Sequence, residues 1–517
     1  MLQTLAKVGI ILESRKKVLI YVAITNLCAY FIFITNYLLN NHGMRFPWVN
    51  PYDQVFAGRW FTPFWFWLAG NGNAPVFSGL LFITLNIAAA AMVLELWGVR
   101  KLKPLHYFSL LTLITTYPAF TGGLYYHYAS YMFSASIFLA AAAMLVSSKL
   151  TLMRITIGAA LVTFTMATNQ PSLSVFLTIL STYSLSLYIT KVGTLETYIE
   201  TFKKHILPRV IAFVLGVVLY KLSLAVFGIG ESHATKTLSL SEFPEKFVSV
   251  FIVSFKHLLI TQPEFSKSIK IALLFIIVSG VLITIIRALI AYRPKQKKQI
   301  VLFIAINLFL ILSVVLSTKA MFLVSFTQDY YEYRYNFAMA YLYGYGTLVF
   351  LTVFSSFSFA SFCSTALVMF VCLRFVQADL LRQGVLLRGQ THDLALANRI
   401  VYRIESLPNL KHDIKYVFVR VGDYNAYRSK SMRTNGRNYD APGSGHMDRG
   451  FVSARFAAGS VMELLGASFS LKYAKFNPNF VEDEKNARLL IKQSNRKPWP
   501  HASSVFIHDD KIIVYMR

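Results

Sequence analysis

What most constrains this chain of 517 residues is a succession of apolar stretches, each close to the length of a bilayer crossing. A helix needs about 20 apolar residues to cross roughly 30 Å of hydrocarbon, where every backbone amide must be paired within the chain. Such stretches run near 18–39, 77–97, 105–121, 130–147, 150–168, 171–190, 207–228, 269–290, 299–318, 336–356 and 359–377. The last two form one apolar block broken only at Ser355-Ser356-Phe357-Ser358. The expected architecture is therefore an all-α polytopic membrane protein with about eleven transmembrane helices. Charged residues make up 15% of the chain, against about 25% in soluble proteins. That deficit excludes a soluble enzyme, a disordered chain and a disulfide-rich secreted module. Cys28, Cys363 and Cys372 all lie inside apolar stretches and offer neither a zinc spacing nor a disulfide framework. The opening MLQTLAKVGIILESRKK is not expected to be a signal peptide, because its apolar run is short and no small-residue cleavage site follows.

A net charge of +27 on a soluble chain would point to nucleic acid, but here the basic residues sit in every second loop. Arg15, Lys16 and Lys17 precede the first span, and Arg100, Lys101 and Lys103 follow the second. Lys149 and Arg154 bracket the fourth-to-fifth turn; Lys191, Lys203, Lys204 and Arg209 follow the sixth span, and Arg293, Lys295, Lys297 and Lys298 the eighth. The positive-inside rule places those loops and the N-terminus in the cytoplasm, beside anionic lipid headgroups. No nucleic-acid partner is needed. With eleven spans the C-terminus lies outside.

The chain changes character near Asp379. Residues 1–378 form the membrane domain, and residues 379–517 carry 22 Lys+Arg and 13 Asp+Glu in a pattern suited to a small extracytoplasmic α+β domain. Gln390 to Leu407 reads as an amphipathic helix with Thr391 or Asp393 near its cap and Leu394, Val401 and Ile404 on one face. Lys415 to Val421 alternates like a strand, and Ser504 to Tyr515 reads as a hairpin turning at Asp509-Asp510. Tyr424 to Asp448 is a polar loop rich in arginine and glycine. No internal repeat is evident, which counts against an inverted-repeat transporter.

The membrane portion up to residue 378 contains eleven carboxylates. Glu13, Glu95, Glu196 and Glu200 fall on the cytoplasmic side; Asp53, Glu231, Glu242, Glu245, Glu264, Asp329 and Glu332 fall outside. None lies at mid-membrane, where a proton relay or ion-coupled carrier would place one. Any chemistry therefore faces outward. The first outer loop, residues 40–76, is dense in aromatics and holds a single acid, Asp53, six residues before Arg59. It suits either a site acid or an interfacial anchor in which Asp53 caps a helix over Gln54–Trp60. Between spans nine and ten, Glu332-Tyr333-Arg334-Tyr335 offers a planar guanidinium suited to bidentate phosphate binding, or one that snorkels and packs on tyrosine. His127 and the amides of Asn169 and Gln170 could bind sugar or phosphate, or serve as an interfacial histidine and a proline-initiated turn.

A basic cytoplasmic N-terminus, one span, an acid in a long aromatic loop, many further spans, a Tyr/Arg segment and an outer tail domain together resemble a GT-C fold glycosyltransferase. The closest resemblance is to the seroconverting O-antigen glucosyltransferases of bacteria and their phages. It rests on Tyr52-Asp53 followed by Gly58-Arg59, on Tyr333-Arg334-Tyr335, and on Asp393-Leu-Ala-Leu-Ala-Asn-Arg-Ile400. The resemblance implies an enzyme of the bacterial inner membrane that takes glucose from polyprenyl phosphate on the periplasmic face and delivers it to a lipopolysaccharide O-antigen. It implies Asp53 as general base, Arg334 and Arg59 on the donor phosphate, and His127, Asn169, Gln170, Glu332 and Tyr333 on sugar or acceptor. Gln54 stands where the wider superfamily carries a second acid, so no metal site and no cofactor are expected. Two rival readings are a flippase or transporter for a lipid-linked sugar and an O-antigen polymerase or acyltransferase. The carrier would need neither an acid in loop one nor an outer domain, and the acyltransferase would need a cytoplasm-facing His or Arg near its acyl donor.

Overall fold

A computed structural model describes residues 15–36, 51–69, 74–99, 102–124, 130–190, 199–230, 241–259, 267–292, 297–323, 336–355, 358–422, 466–472 and 479–516. It is mostly helical. Contacts divide the chain into two compact units, with the division on the main chain after Leu380.

In the first unit, helix occupies each of the eleven apolar segments. The helices are α1 (Lys16–Ala29) with the short α2 (Phe31–Thr35), α3 (Thr62–Leu68), α4 (Pro75–Leu96), α5 (Pro104–Thr115) and α6 (Ala119–Leu124). They continue as α7 (Ser130–Val146), α8 (Leu152–Thr168), α9 (Ser172–Thr190) and α10 (Leu207–Val226). After them come α11 (Phe243–Leu259), α12 (Lys267–Tyr292), α13 (Lys297–Ser317), α14 (Phe337–Phe354) and α15 (Ser358–Glu405). Among the described residues four segments are long and apolar enough to cross a membrane: Pro75–Leu96, Ile199–Val226, Phe337–Phe354 and Ser358–Gly384. Five shorter apolar helices stand beside them.

Lipid gives helices no hydrophobic reason to associate, so close contact of small residues and buried polar ties must hold them. Both are present. At Gly216 on α10 an added Cβ would lie 2.5 Å from Val162 Cβ and 2.7 Å from the Ala159 carbonyl, and Thr163 Oγ1 donates to the Gly216 carbonyl at 3.0 Å. The α8–α10 contact therefore needs a residue without a side chain. Where α5 ends at Thr115, the orphan Thr115 carbonyl accepts from both Tyr30 Oη at 2.7 Å and Asn86 Nδ2 at 3.2 Å, while Asn26 Nδ2 donates to Thr115 Oγ1. Three helices are tied at one helix end.

Asp379 departs from expectation. It does not open a water-soluble segment: it is fully buried in the first unit and accepts a short hydrogen bond from Thr121 on α6. Hydropathy falls there, but the helix does not stop. α15 runs unbroken to Glu405, so the start expected at Gln390, with a cap at Thr391 or Asp393, is absent. Eight of the eleven residues 380–390 are leucine, arginine or glutamine, which propagate a helix through Gly384 and Gly389.

In the second unit the last turns of α15 cover a four-stranded sheet of order β2-β1-β4-β3, where β1 is Lys415–Val421, β2 Ser470–Leu471, β3 Val505–His508 and β4 Lys511–Tyr515. β1 runs parallel to β2 and β4, and β3–β4 is a hairpin with Asp509 at φ 53. The sheet has two apolar faces. Val401 and Ile404 of α15 pack on Tyr416, Ile512 and Val514; Ala487 and Ile491 of α16 (Phe480–Gln493) pack on Val417, Val419 and Ile513. The strand, the hairpin and the α15 face match the pattern read from sequence.

Candidate functional site

The site is built from the aromatic loop. Pro51 pre-sets the backbone for a 3-10 segment over Pro51–Ala57, and Gly58 at φ 78 ends it in the left-handed region that glycine tolerates. Asp53 is the third residue of this segment. It does not precede a helix at Gln54, so the cap alternative does not fit the backbone. Phe61 N then donates to the Ala167 carbonyl at 3.0 Å and α3 begins.

The returning chain is fastened to the α8–α9 turn and to α10 by side chains far apart in sequence. Arg59 Nε donates to Gln170 Oε1 at 3.1 Å and Nη1 to Gln54 Oε1 at 2.8 Å. Gln170 Nε2 donates to the Ala57 carbonyl at 2.7 Å and to Tyr220 Oη at 3.1 Å, and Tyr220 Oη donates to the Gly58 carbonyl at 3.1 Å. Trp60 Nε1 reaches Ser223 Oγ at 2.8 Å, with its ring against Phe164 and Phe227; Trp65 Nε1 reaches Thr168 Oγ1 at 3.0 Å. The aromatics thus hold the loop against α8 and α10. Two expected site residues, Arg59 and Gln170, meet in this clamp.

Asn169 does something else. It is buried, its Nδ2 lies 3.4 Å from Ser172 Oγ, and its carbonyl accepts from Ser172 N at 3.1 Å, so it shapes the start of α9. The backbone of Asp53 is placed, while His127, Glu332, Tyr333, Arg334 and the loop Tyr424–Asp448 lie outside the described residues.

In the first turn of α9, Ser174 Oγ accepts from Met321 N at 3.0 Å. That bond brings in a group the sequence reading passed over. Lys319 follows α13, is fully buried, and donates a short hydrogen bond to Asn336 Oδ1 at the start of α14; its Nζ lies 5.7 Å from the centre of the Phe322 ring. Burial pulls its ammonium down to about 7. On α11, His257 is buried too, and burial followed by the charges of Lys319 and Lys270 pushes it well below the usual imidazole range. A signal for Lys319 existed: it is a lone lysine in Ser-Thr-Lys-Ala-Met-Phe, in a segment expected outside, where the positive-inside rule places few. Asp379 with Thr121 forms a third polar cluster, and Phe120 stacks on Phe337 at 5.2 Å between Thr121 and Asn336. Among the described residues no three His, Cys, Asp or Glu side chains converge as metal ligands would.

A loop arginine fixed on two amide oxygens can present positive charge to an anionic leaving group. Comparison with known proteins agrees in kind. The profile of the family described as glucosyl transferase GtrII matches residues 14–351, about two thirds of the chain, a stretch that includes Asp53, Arg59, Gln170, Lys319 and Arg334. No curated protein and no solved structure matches. The membrane unit, with its fastened aromatic loop, is that of a glycosyltransferase, and the chain belongs to the glucosyl transferase GtrII family.

Proposed function

We infer that the protein transfers glucose from a polyprenyl-phosphate donor to a lipopolysaccharide O-antigen or related glycan at the periplasmic face of the bacterial inner membrane. The chain crosses the membrane eleven times in this reading, with a cytoplasmic N-terminus. The observation that carries it is the clamp of Arg59, Gln170 and Tyr220 on the loop bearing Asp53, together with the family assignment. A catalytic base on a loop must be held to within a fraction of an ångström, and a clamp of hydrogen bonds to α8, the α8–α9 turn and α10 is the means available here.

Asp53 acts as general base. It takes the proton of an acceptor-sugar hydroxyl as that oxygen attacks the anomeric carbon, and the bond from that carbon to the phosphate oxygen breaks. The lipid phosphate leaves with the electron pair and needs no protonation, so the demand on the site is positive charge and orientation. Arg334 supplies a bidentate fork for the phosphate. Arg59, with Nε and Nη1 on amide oxygens, keeps the loop in place and adds charge beside it. Direct attack inverts the anomeric configuration. The test is reconstitution in lipid with polyprenyl-phosphate glucose and an O-antigen glycan, without any nucleotide. Transfer with inversion is expected; a requirement for nucleotide-sugar, or retention at the anomeric carbon, overturns the reading.

A further inference from the structure

An exposed helix face normally mixes charges of both signs, because opposite partners three or four residues apart stabilise one another. In the second unit α16 follows this rule: Arg488 donates to Glu484, one turn earlier, at 2.6 Å. α15 breaks it. Its residues at three- and four-residue spacing on the side away from the sheet are Ala395, Asn398, Arg399, Tyr402, Arg403 and Ser406, of which all but the half-buried Arg403 are exposed. Arg399 and Arg403 stand four residues apart, with Ala395 one turn before them and Leu407 one turn after, so no acid occupies the positions that would pair with them. Among the described residues no carboxylate forms an ion pair with either guanidinium. Like charges at this spacing repel, and an anion laid across them turns the repulsion into attraction.

Both guanidiniums are held in advance. Arg399 Cζ lies 5.4 Å and Arg403 Cζ 5.6 Å over the ring of Trp499, which is 4% exposed and fixed by its backbone N–H to the Tyr515 carbonyl at 2.8 Å. Arg403 Nη1 also reaches the His501 carbonyl at 3.4 Å. A guanidinium over a ring uses its face on the aromatic and keeps its in-plane N–H fork for a planar carboxylate or for a phosphate. Between the two arginines in sequence stands Tyr402, 72% exposed, with Asn398 one turn before it. Such a face does not suit a bilayer. The apolar residues of this stretch of α15, Leu396, Ile400, Val401 and Ile404, all pack into the core beneath, whereas an interfacial helix turns such residues outward. It suits a sugar that carries negative charge. The C–H side of a pyranose packs on the negative face of an aromatic ring, an arginine fork takes a carboxylate, and an amide takes a hydroxyl.

We propose that Asn398, Arg399, Tyr402 and Arg403 dock an acidic pyranose segment of the acceptor glycan. This assignment rests on the acceptor class inferred above and adds to it a binding surface built wholly from the second unit. A sugar ring lies on Tyr402, its charged substituent meets the forks of Arg399 and Arg403, and Asn398 binds a hydroxyl of the same or the next ring.

The experiment measures binding of oligogalacturonate, a chain of pyranose carboxylates, to the full-length protein in nanodiscs of neutral lipid. Its fully methyl-esterified form and phosphatidylglycerol vesicles serve as comparisons. Wild type should bind the free acid saturably and the ester at least about tenfold more weakly, as the loss of a charge-assisted hydrogen bond implies. Arg399→Gln and Tyr402→Ala should each weaken the acid about tenfold. Tyr402→Phe should keep the affinity because the ring stays, and Arg399→Lys should recover only part of it because the fork is lost. These side chains are exposed, so the melting temperature should not move. Absence of saturable binding by wild type, unchanged affinity in Arg399→Gln and Tyr402→Ala, or an ester bound as tightly as the acid overturns the proposal. Vesicle binding that Arg399→Gln abolishes, without binding of oligogalacturonate, also overturns it and assigns the face to anionic lipid. Wild-type glucose transfer is measured separately. Failed transfer with binding intact strikes the function, and lost binding with transfer intact strikes this surface alone.

Discussion

Gln170→Leu is the sharpest perturbation of the clamp. Leucine keeps most of the side-chain volume but removes one acceptor and two donors. Lost are the 3.1 Å bond from Arg59 Nε, the 2.7 Å bond to the Ala57 carbonyl and the 3.1 Å bond to Tyr220 Oη. A neutral bond contributes about 1 kcal/mol and a charge-assisted one about 1.5–3 kcal/mol, so the loop is loosened by about 3–5 kcal/mol. Phe61 N on Ala167 and Trp60 on Ser223 still hold its far end, so the chain should insert and fold normally. The segment Pro51–Ala57 then samples displaced positions, and a misplacement of about 1 Å costs about a hundredfold in rate. The assay is glucose transfer from polyprenyl-phosphate glucose, with donor binding measured in parallel. kcat should fall about thirty- to a hundredfold while donor affinity changes by less than about threefold. Tyr220→Phe, which loses only the bond to Gly58 and the acceptor for Gln170, should lie between wild type and Gln170→Leu. A Gln170→Leu enzyme within twofold of wild-type turnover would refute the claim that the clamp positions the acid.

Two other expectations test the packing. Gly216→Ala must push a methyl against Val162 and the Ala159 carbonyl, so it should destabilise by about 1–3 kcal/mol and lower the melting temperature in detergent, whereas Gly384→Ala, with open space around it, should not. In the second unit, Lys511 Nζ lies 2.6 Å from Asp483 Oδ1, and the hydrogen bond to Asp483 raises the Lys511 pKa above its usual value. The lysine's contribution is therefore fully present below about pH 10 and is lost only above its folded pKa. Asp483→Asn should cost about 1 kcal/mol and speed hydrogen exchange of the β1 and β4 amides equally at pH 6 and pH 8; a loss that appears at only one of these values contradicts the assignment.

The helices were legible because length and apolarity are local properties, and a bilayer imposes one length on every crossing. The tail sheet was legible in part for a similar reason: the period of two in Lys415–Val421 and the Asp509-Asp510 turn are local, but the parallel pairing of β1 with β4 is not. The unbroken helix from the last apolar segment to Glu405 is not legible, because a drop in hydropathy marks the end of an apolar run and not the end of a helix. The meeting of Arg59 with Gln170, 111 residues apart, has no local signal at all. Asn169 and Gln170 look interchangeable as neighbouring amides, yet one closes a turn and the other bridges the loop to α10. Lys319 did leave a trace, as a basic residue on the side where such residues are scarce.

The claim on which the rest depends is that Asp53 removes the acceptor proton. Asp53→Asn keeps the shape and the hydrogen-bonding size of the side chain but cannot take that proton. Glucose transfer to the glycan acceptor, measured in single turnovers with the donor saturating, should fall by about 10²–10⁴-fold, while insertion and polyprenyl-phosphate affinity stay at wild-type values. Retention of more than about a tenth of the rate would contradict the account and leave Asp53 as part of the loop's scaffold.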